Sequence, residues 1–197
     1  ASKNAEFWQG IDTNSRARIT VSLYKLDAGD HLDEARERFS EYMERVSHLL
    51  HENILTLYDY GHIKQRGVFA VTEDSSAPTL ETLLQGDELE AQWVVDIFRE
   101  LASGLQAAHD KDYIHGDLRP SLIRAHENTS RPVKIDGFGL GRIIRQFRRQ
   151  SLIDTETDFY GPFSAYMAPE QNGENRLGPW TDMYSFGLIF HEALTHS

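Results

Sequence analysis

The stretch His115-Gly116-Asp117-Leu118-Arg119-Pro120-Ser121-Leu122-Ile123 gathers side chains that could do chemistry. Asp117 offers a carboxylate, which can act as a base or structure its loop. Arg119, two residues on, can contact a phosphate or pair with a nearby acid as a surface arginine. His115 is read as a packed, hydrogen-bonded core residue rather than a base. A second carboxylate opens Asp136-Gly137-Phe138-Gly139-Leu140. It is either a ligand for a hard cation or a solvent-facing strand residue. His48 and His51 are three apart, but no other ligands converge on them in sequence, so a zinc site is not expected.

Elements on both sides must position these groups. Phe7 to Asp12 and Arg18 to Lys25 read as strands around a polar turn at Thr13-Asn14-Ser15-Arg16. In the second, Ile19, Val21 and Leu23 alternate with Thr20, Ser22 and Tyr24, which predicts a buried aliphatic face. Glu34 to Leu50 carries Phe39, Met43, Val46 and Leu50 at helical spacing. Leu55 to Ile63 and Val68 to Glu73 make a second hairpin. Ser75-Ser76-Ala77-Pro78 reads as a linker between lobes. Thr79 can cap a short helix through Leu84. Glu90 to His109 predicts the longest helix, with Trp93, Val94, Ile97, Leu101, Leu105 and Ala108 on one face. Short strands at 122–125 and 132–135 flank a polar loop, and Thr181 to Leu194 predicts a last apolar helix. Trp8, Trp93 and Trp180 are expected in packing or at lobe edges.

Bulk composition excludes several classes. The chain has 197 residues, 40% hydrophobic and 26% charged, which fits a folded globular protein. Its net charge of −11 argues against a general nucleic-acid binder. With no cysteine, disulfides and thiolate metal sites are impossible. No apolar run is long enough to cross a bilayer and no signal peptide opens the chain, so no membrane insertion and a cytoplasmic setting are expected.

Motifs spread along the chain carry a resemblance. His115-Gly116-Asp117-Leu118-Arg119-Pro120 and Phe138-Gly139-Leu140 resemble the catalytic loop and metal-binding loop of the protein kinase family. Tyr166-Met167-Ala168-Pro169-Glu170 is similar to the end of its activation segment. Asp182-Met183-Tyr184-Ser185-Phe186-Gly187 is similar to the start of its large-lobe central helix. His51-Glu52-Asn53-Ile54 resembles the motif after its regulatory helix. The resemblance implies an α+β, two-lobed kinase-like fold: a small antiparallel-sheet lobe with one helix over 1–75, and a mainly helical lobe over 76–197. It also implies truncation at both ends, without the first strand and the last helices. The style of the motifs resembles bacterial serine/threonine kinases.

Phosphoryl transfer is mostly positioning and charge neutralisation, so the family's chemistry depends on particular side chains. Asp117 stands at the base position, and Arg119 replaces the lysine that touches the moving phosphate. Thr20, Ser22, Thr72, Glu73 and Ser75 fall at nucleotide-cleft positions. Ser22 stands where the phosphate-holding lysine belongs, and alternation sends the nearby Lys25 to the other face. Tyr42 stands for the lysine's glutamate partner, with Glu41 and Glu44 each off position. Gly116 replaces the arginine that reads a phosphorylated segment. Leu122 replaces a metal-holding asparagine, and Gly137 the main metal aspartate. Arg124 falls where an apolar residue lies beneath the adenine. His115, Phe138, Glu170 and Asp182 match residues that tie the large lobe together.

The expectation is a pseudokinase domain that acts as a regulatory or scaffolding interaction module, with phosphotransfer lost or very weak. No cofactor or metal is then expected, and the partner is a protein: an active kinase or a domain of the same longer chain. One alternative is an atypical active serine/threonine kinase using ATP and magnesium, with Asp136 on the metal, Lys25 on the phosphates and Asp117 on the hydroxyl. Another is a nucleotide-binding switch without transfer. Arg142, Arg145, Arg148 and Arg149, with Ile143, Ile144 and Phe147, read as a solvated loop or as a docking segment.

Overall fold

The structure is a computed structural model that describes residues 5–25, 32–64, 67–74, 76–86, 88–126, 133–138, 163–172 and 176–195. Ser75, Gly139, Leu140 and the Arg142–Arg149 stretch lie outside the described residues. The chain divides into two compact units, one containing Ala1–Leu50 and Thr56–Ser76, the other His51–Leu55, Ala77–Gly139 and Phe163–Ser197.

The first unit is an antiparallel sheet with one helix. Its strands are β1 (Ala5–Ile11), β2 (Arg18–Tyr24), β3 (Leu57–Ile63) and β4 (Gly67–Glu73), in the order β1-β2-β4-β3. The β1–β2 turn is built on Asp12, whose Oδ1 accepts from the Ser15 amide at 2.6 Å, the Ser15 hydroxyl at 2.8 Å and the Asn14 amide at 3.1 Å. An aspartate that bonds the backbone two and three residues on bends the chain without help from the strands. The β3–β4 hairpin needs Gly67, because at φ +130 a Cβ there would collide with the Tyr24 carbonyl oxygen.

Helix α1 (Leu32–Val46) buries Ala35, Phe39, Met43 and Val46, a stripe at spacings of three and four. Asp33 and Glu34 in its first turn and Arg45 in its last suit the helix dipole. The helix stops before the expected Leu50. Ser47 Oγ donates to the Glu44 carbonyl at 2.6 Å, and the Leu49 amide reaches only three residues back, to the Val46 carbonyl. Such tight bonds close a last turn rather than extend a helix.

The buried aliphatic face expected for β2 is corrected by the register. Ser22 pairs with Ala70, Thr20 with Thr72 and Tyr24 with Val68, and Ala70 in turn with Tyr60. Directly opposed residues share a face. Tyr60 contacts α1, so this is the face the helix covers, and Thr20, Ser22 and Tyr24 are buried there. Ile19 and Val21 lie half-buried on the opposite face, and Leu23 alone of that row is fully enclosed.

The second unit is built on two long helices. Thr79 caps α2 (Leu80–Leu84), its Oγ1 accepting from the Thr82 amide at 3.1 Å. α3 (Ala91–His109) buries Trp93, Val94, Ile97, Phe98, Leu101, Leu105 and Ala108. Phe98 packs on Phe186 and Phe190 of α4 (Pro179–Thr195), with ring centroids 5.1 and 4.8 Å away. β5 (Ile123–Arg124) and β6 (Lys134–Ile135) pair antiparallel. They are shorter than expected at 122–125 and 132–135, since Leu122 belongs to the 3-10 turn Pro120–Leu122. Asn53 fastens His51–Leu55 here: its side chain donates at 3.1 Å to Glu100 Oε2 and to the Val133 carbonyl.

The tryptophans do not share one setting. Trp93 is buried and donates its indole N–H to the His126 carbonyl at 3.3 Å, whereas Trp8 and Trp180 are exposed. Trp180 is one of five exposed apolar residues on α4, with Met183, Tyr184, Leu188 and Leu194. The side of α4 that is buried carries Thr181, Asp182, Ser185, Ile189 and Ala193. Among the described residues no helix is long and apolar enough to cross a membrane.

Candidate functional site

The loop 115–119 follows α3 and is held from below by Asp182, which is fully enclosed in α4. Asp182 Oδ2 accepts from the His115 amide at 2.9 Å and from His109 Nε2 at 2.7 Å, and its Oδ1 accepts from the Gly116 amide at 2.7 Å. A buried carboxylate persists only when its lone pairs are so occupied. Gly116 lies at φ +67, a backbone region that favours glycine. Its carbonyl accepts from Gln171 Nε2 at 2.8 Å, and Gln171 Oε1 accepts from the Ala168 amide at 2.9 Å. Both backbone groups of Gly116 are thus held by side chains distant in sequence.

His115 is fully buried. Its Nδ1 accepts from the Asp117 amide at 3.2 Å. The ring proton therefore sits on Nε2, which donates to the Asp136 carbonyl at 2.9 Å. The His115 ring lies 4.8 Å from that of the buried Phe138. The expected core role of His115 thus has definite content: the imidazole joins the loop at 117 to the chain after β6.

Asp117 and Arg119 are both buried, and Arg119 Nε lies 3.8 Å from Asp117 Oδ1. Arg119 thus lies beside an acid inside the protein rather than at the surface, because the loop folds both side chains inward. Asp136 does not face solvent as a free acid. Its carboxylate lies 3.5 Å from Arg124 Nη2, with both side chains 22% exposed. The pairing follows from strand geometry. Arg124 opposes Lys134 across β5 and β6, and Asp136, two residues after Lys134, falls on the same face.

The metal positions implied by the resemblance carry no side-chain oxygen. A Cβ on Gly137 would lie 3.2 Å from both Leu122 methyl carbons, and Gly137 sits at φ +76. Leucine offers no oxygen, glycine has no side chain, and the neighbouring Asp136 already has a guanidinium against it. These residues do not fit a magnesium ion, which requires several oxygen ligands in near-octahedral order. Among the described residues no group of three or more histidines and acids is placed to hold a metal.

In the first unit, Thr20, Ser22 and Thr72 share one face of the sheet, with Thr20 and Ser22 buried. Glu73 turns its carboxylate to the Thr56 amide, Oε1 accepting at 2.9 Å. Lys25 pairs with Glu6 at 2.7 Å and is about half exposed. Tyr42 is half-buried on α1, and Glu44 rather than Glu41 reaches the sheet, accepting from Tyr60 Oη at 2.7 Å.

Glu170 accepts from the buried Thr181 hydroxyl at 2.7 Å, Ser185 Oγ donates to the Tyr166 carbonyl at 2.7 Å, and Tyr166 donates its hydroxyl to Glu192. Burial first, and then Glu192, hold the Tyr166 phenol well above its ordinary ionisation range. These bonds fasten the segment 163–172 to α4. Sequence reasoning missed His109, Gln171 and Glu100 as clamps. Each is a polar residue next to a recognisable motif or inside an amphipathic helix, and nothing in its spacing reveals its partner.

Comparison with known proteins agrees with this geometry. The family model described as protein tyrosine and serine/threonine kinase matches residues 3–197. Serine/threonine-protein kinase PknA of Mycobacterium tuberculosis is 25% identical over 195 residues, covering 96% of this chain and 43% of that protein. PknL of the same organism is 30% identical over 192 residues, covering 95% and 45%. The chain spans less than half the length of these curated relatives. The solved kinase domain of Mycobacterium tuberculosis PknI superposes with a TM-score of 0.75 at 18% identity, covering all of this chain and 71% of that one. A solved structure described as PpkA-294 apo form gives 0.77 at 18% identity, with 73% of its chain covered. An α+β arrangement, a glycine-hinged loop clamped by a buried aspartate, and a family match along almost the whole sequence lead to one conclusion: the chain belongs to the protein kinase family, with bacterial serine/threonine kinases among its relatives.

Proposed function

We propose that this chain is a pseudokinase domain, a kinase-shaped module that acts by binding a protein partner and transfers phosphate weakly or not at all. The observation that carries the reading is that Leu122 and Gly137, neither of which offers a side-chain oxygen to a cation, lie close together where the resemblance implies metal ligands. Without a cation or a lysine to neutralise a triphosphate, little remains to steady a phosphoryl group in flight. The ion pair of Arg124 with Asp136 and that of Lys25 with Glu6 speak against the active alternative, because each engages a side chain that route would need. The partner is an active kinase or a further domain of a longer polypeptide.

The test is incubation of the purified protein with ATP and magnesium, with and without a generic protein substrate, alongside thermal shift with ATP and with ATP plus EDTA. The expected result is no phosphoprotein and no magnesium-dependent stabilisation. Phosphotransfer that disappears in Asp117→Asn would overturn the reading.

A further inference from the structure

We propose that Tyr60 and Glu44 form a polar tether that holds α1 to its sheet, and that Tyr60 is therefore a positioning residue for this helix. The register supplies the geometry. Ser22, Ala70 and Tyr60 lie in one row across β2, β4 and β3, on the face that α1 covers. Strands are spaced about 4.8 Å apart, so Tyr60 stands roughly 10 Å along that row from Ser22. Between them Ala70 is small and buried, as are Phe39 and Met43 on the inner stripe of α1. At the row's β3 end the Tyr60 hydroxyl donates to Glu44 Oε2 at 2.7 Å.

A bond from β2 would need a long donor at Ser22, and serine does not have the reach. The tether lies instead at the sheet edge, and on the helix at an acid two residues beyond Tyr42. The phenol registers the contact: the Glu44 hydrogen bond first, then desolvation, raise it above its ordinary value. A helix fastened at this edge keeps its position whatever stands at Ser22. This consequence rests on the pseudokinase reading, whereas the tether itself does not.

Hydrogen–deuterium exchange on the intact chain tests the proposal, comparing peptides from 33–46 with peptides from β4 as an internal standard. Tyr60→Phe and Glu44→Gln are each expected to speed exchange in α1 about threefold, the scale of a local opening that loses one solvent-exposed hydrogen bond. The double variant should match the singles rather than sum them, and Tyr58→Phe, at an exposed neighbour, should match wild type. ATP with magnesium should leave exchange in α1 unchanged. Unaltered α1 exchange in Tyr60→Phe, or additive effects in the double variant, would refute the tether. Faster α1 exchange in Tyr60→Phe together with ATP-dependent protection of α1 would keep the tether and refute the independence from ligand. Phosphotransfer activity would sink the pseudokinase reading alone.

Discussion

Leu122 stands over Gly137 so closely that a Cβ on the glycine would lie 3.2 Å from both leucine methyl carbons. The backbone at Gly137 lies in the left-handed region at φ +76. Gly137→Asp is therefore expected to cost about 1–3 kcal/mol from strained backbone and crowding. Urea unfolding measures it, and a wild-type midpoint would contradict the crowding. Leu122→Asn in the Gly137 background should restore neither magnesium-dependent stabilisation by ATP nor transfer.

Asp182 is expected to be the least replaceable polar residue of the described chain. It sits at 0% exposure and accepts from two backbone amides and one imidazole. Asp182→Ala leaves three donors unsatisfied and should cost about 3–5 kcal/mol, enough to compromise folding. Asp182→Asn keeps one acceptor and should fall between the two. Denaturation midpoints of the three proteins should rank in that order.

Gly104 marks the closest approach of α3 to Asn53 and Ile135. A methyl group there would meet Ile135 Cδ1 at 2.9 Å and the Asn53 Cβ and carbonyl oxygen at 3.1 Å. Helix propensity favours Gly104→Ala by roughly 1 kcal/mol, so the sign of the effect decides between propensity and packing. Packing should win, with a net loss of about 1–2 kcal/mol in the stability measured by urea.

The β1–β2 turn should respond to acid. The Ser15 amide and hydroxyl hold the Asp12 carboxyl below its ordinary value of 3.8. A carboxylate lowered in the folded state adds stability that is fully present above its unfolded value and is lost as pH falls through the folded one. The stability gap between wild type and Asp12→Ala should thus be constant above about pH 5 and narrow below about pH 4. Chemical denaturation from mildly to strongly acidic pH tests this, and a gap that stays flat to the acid end would count against the turn's role.

Some of the structure was legible because period and capping report single elements. Phe39, Met43 and Val46 announced α1, and Thr79 announced the start of α2. The loop at His115 was legible because its residues sit close in sequence. The face of β2 was not, since alternation gives two faces but not which one a helix will cover. Ile19 and Val21 looked like the inner row, and the register with Ala70 and Tyr60 put Thr20 and Ser22 there instead. Arg124 with Asp136, and Gln171 with Gly116, escaped because each bond joins residues far apart in the chain. Only pairing in three dimensions creates them.

Helix α4 carries large apolar side chains on its outer side as well as its inner one. Trp180, Met183, Tyr184, Leu188 and Leu194 face water while Thr181, Asp182 and Ser185 are enclosed. Contact with solvent there forgoes several kcal/mol, at about 25 cal/mol for each Å² of apolar surface. A solvatochromic dye such as ANS should accordingly light up on this natively folded chain, and Leu188→Glu should dim it while leaving the enclosed Asp182 to grip the loop as before.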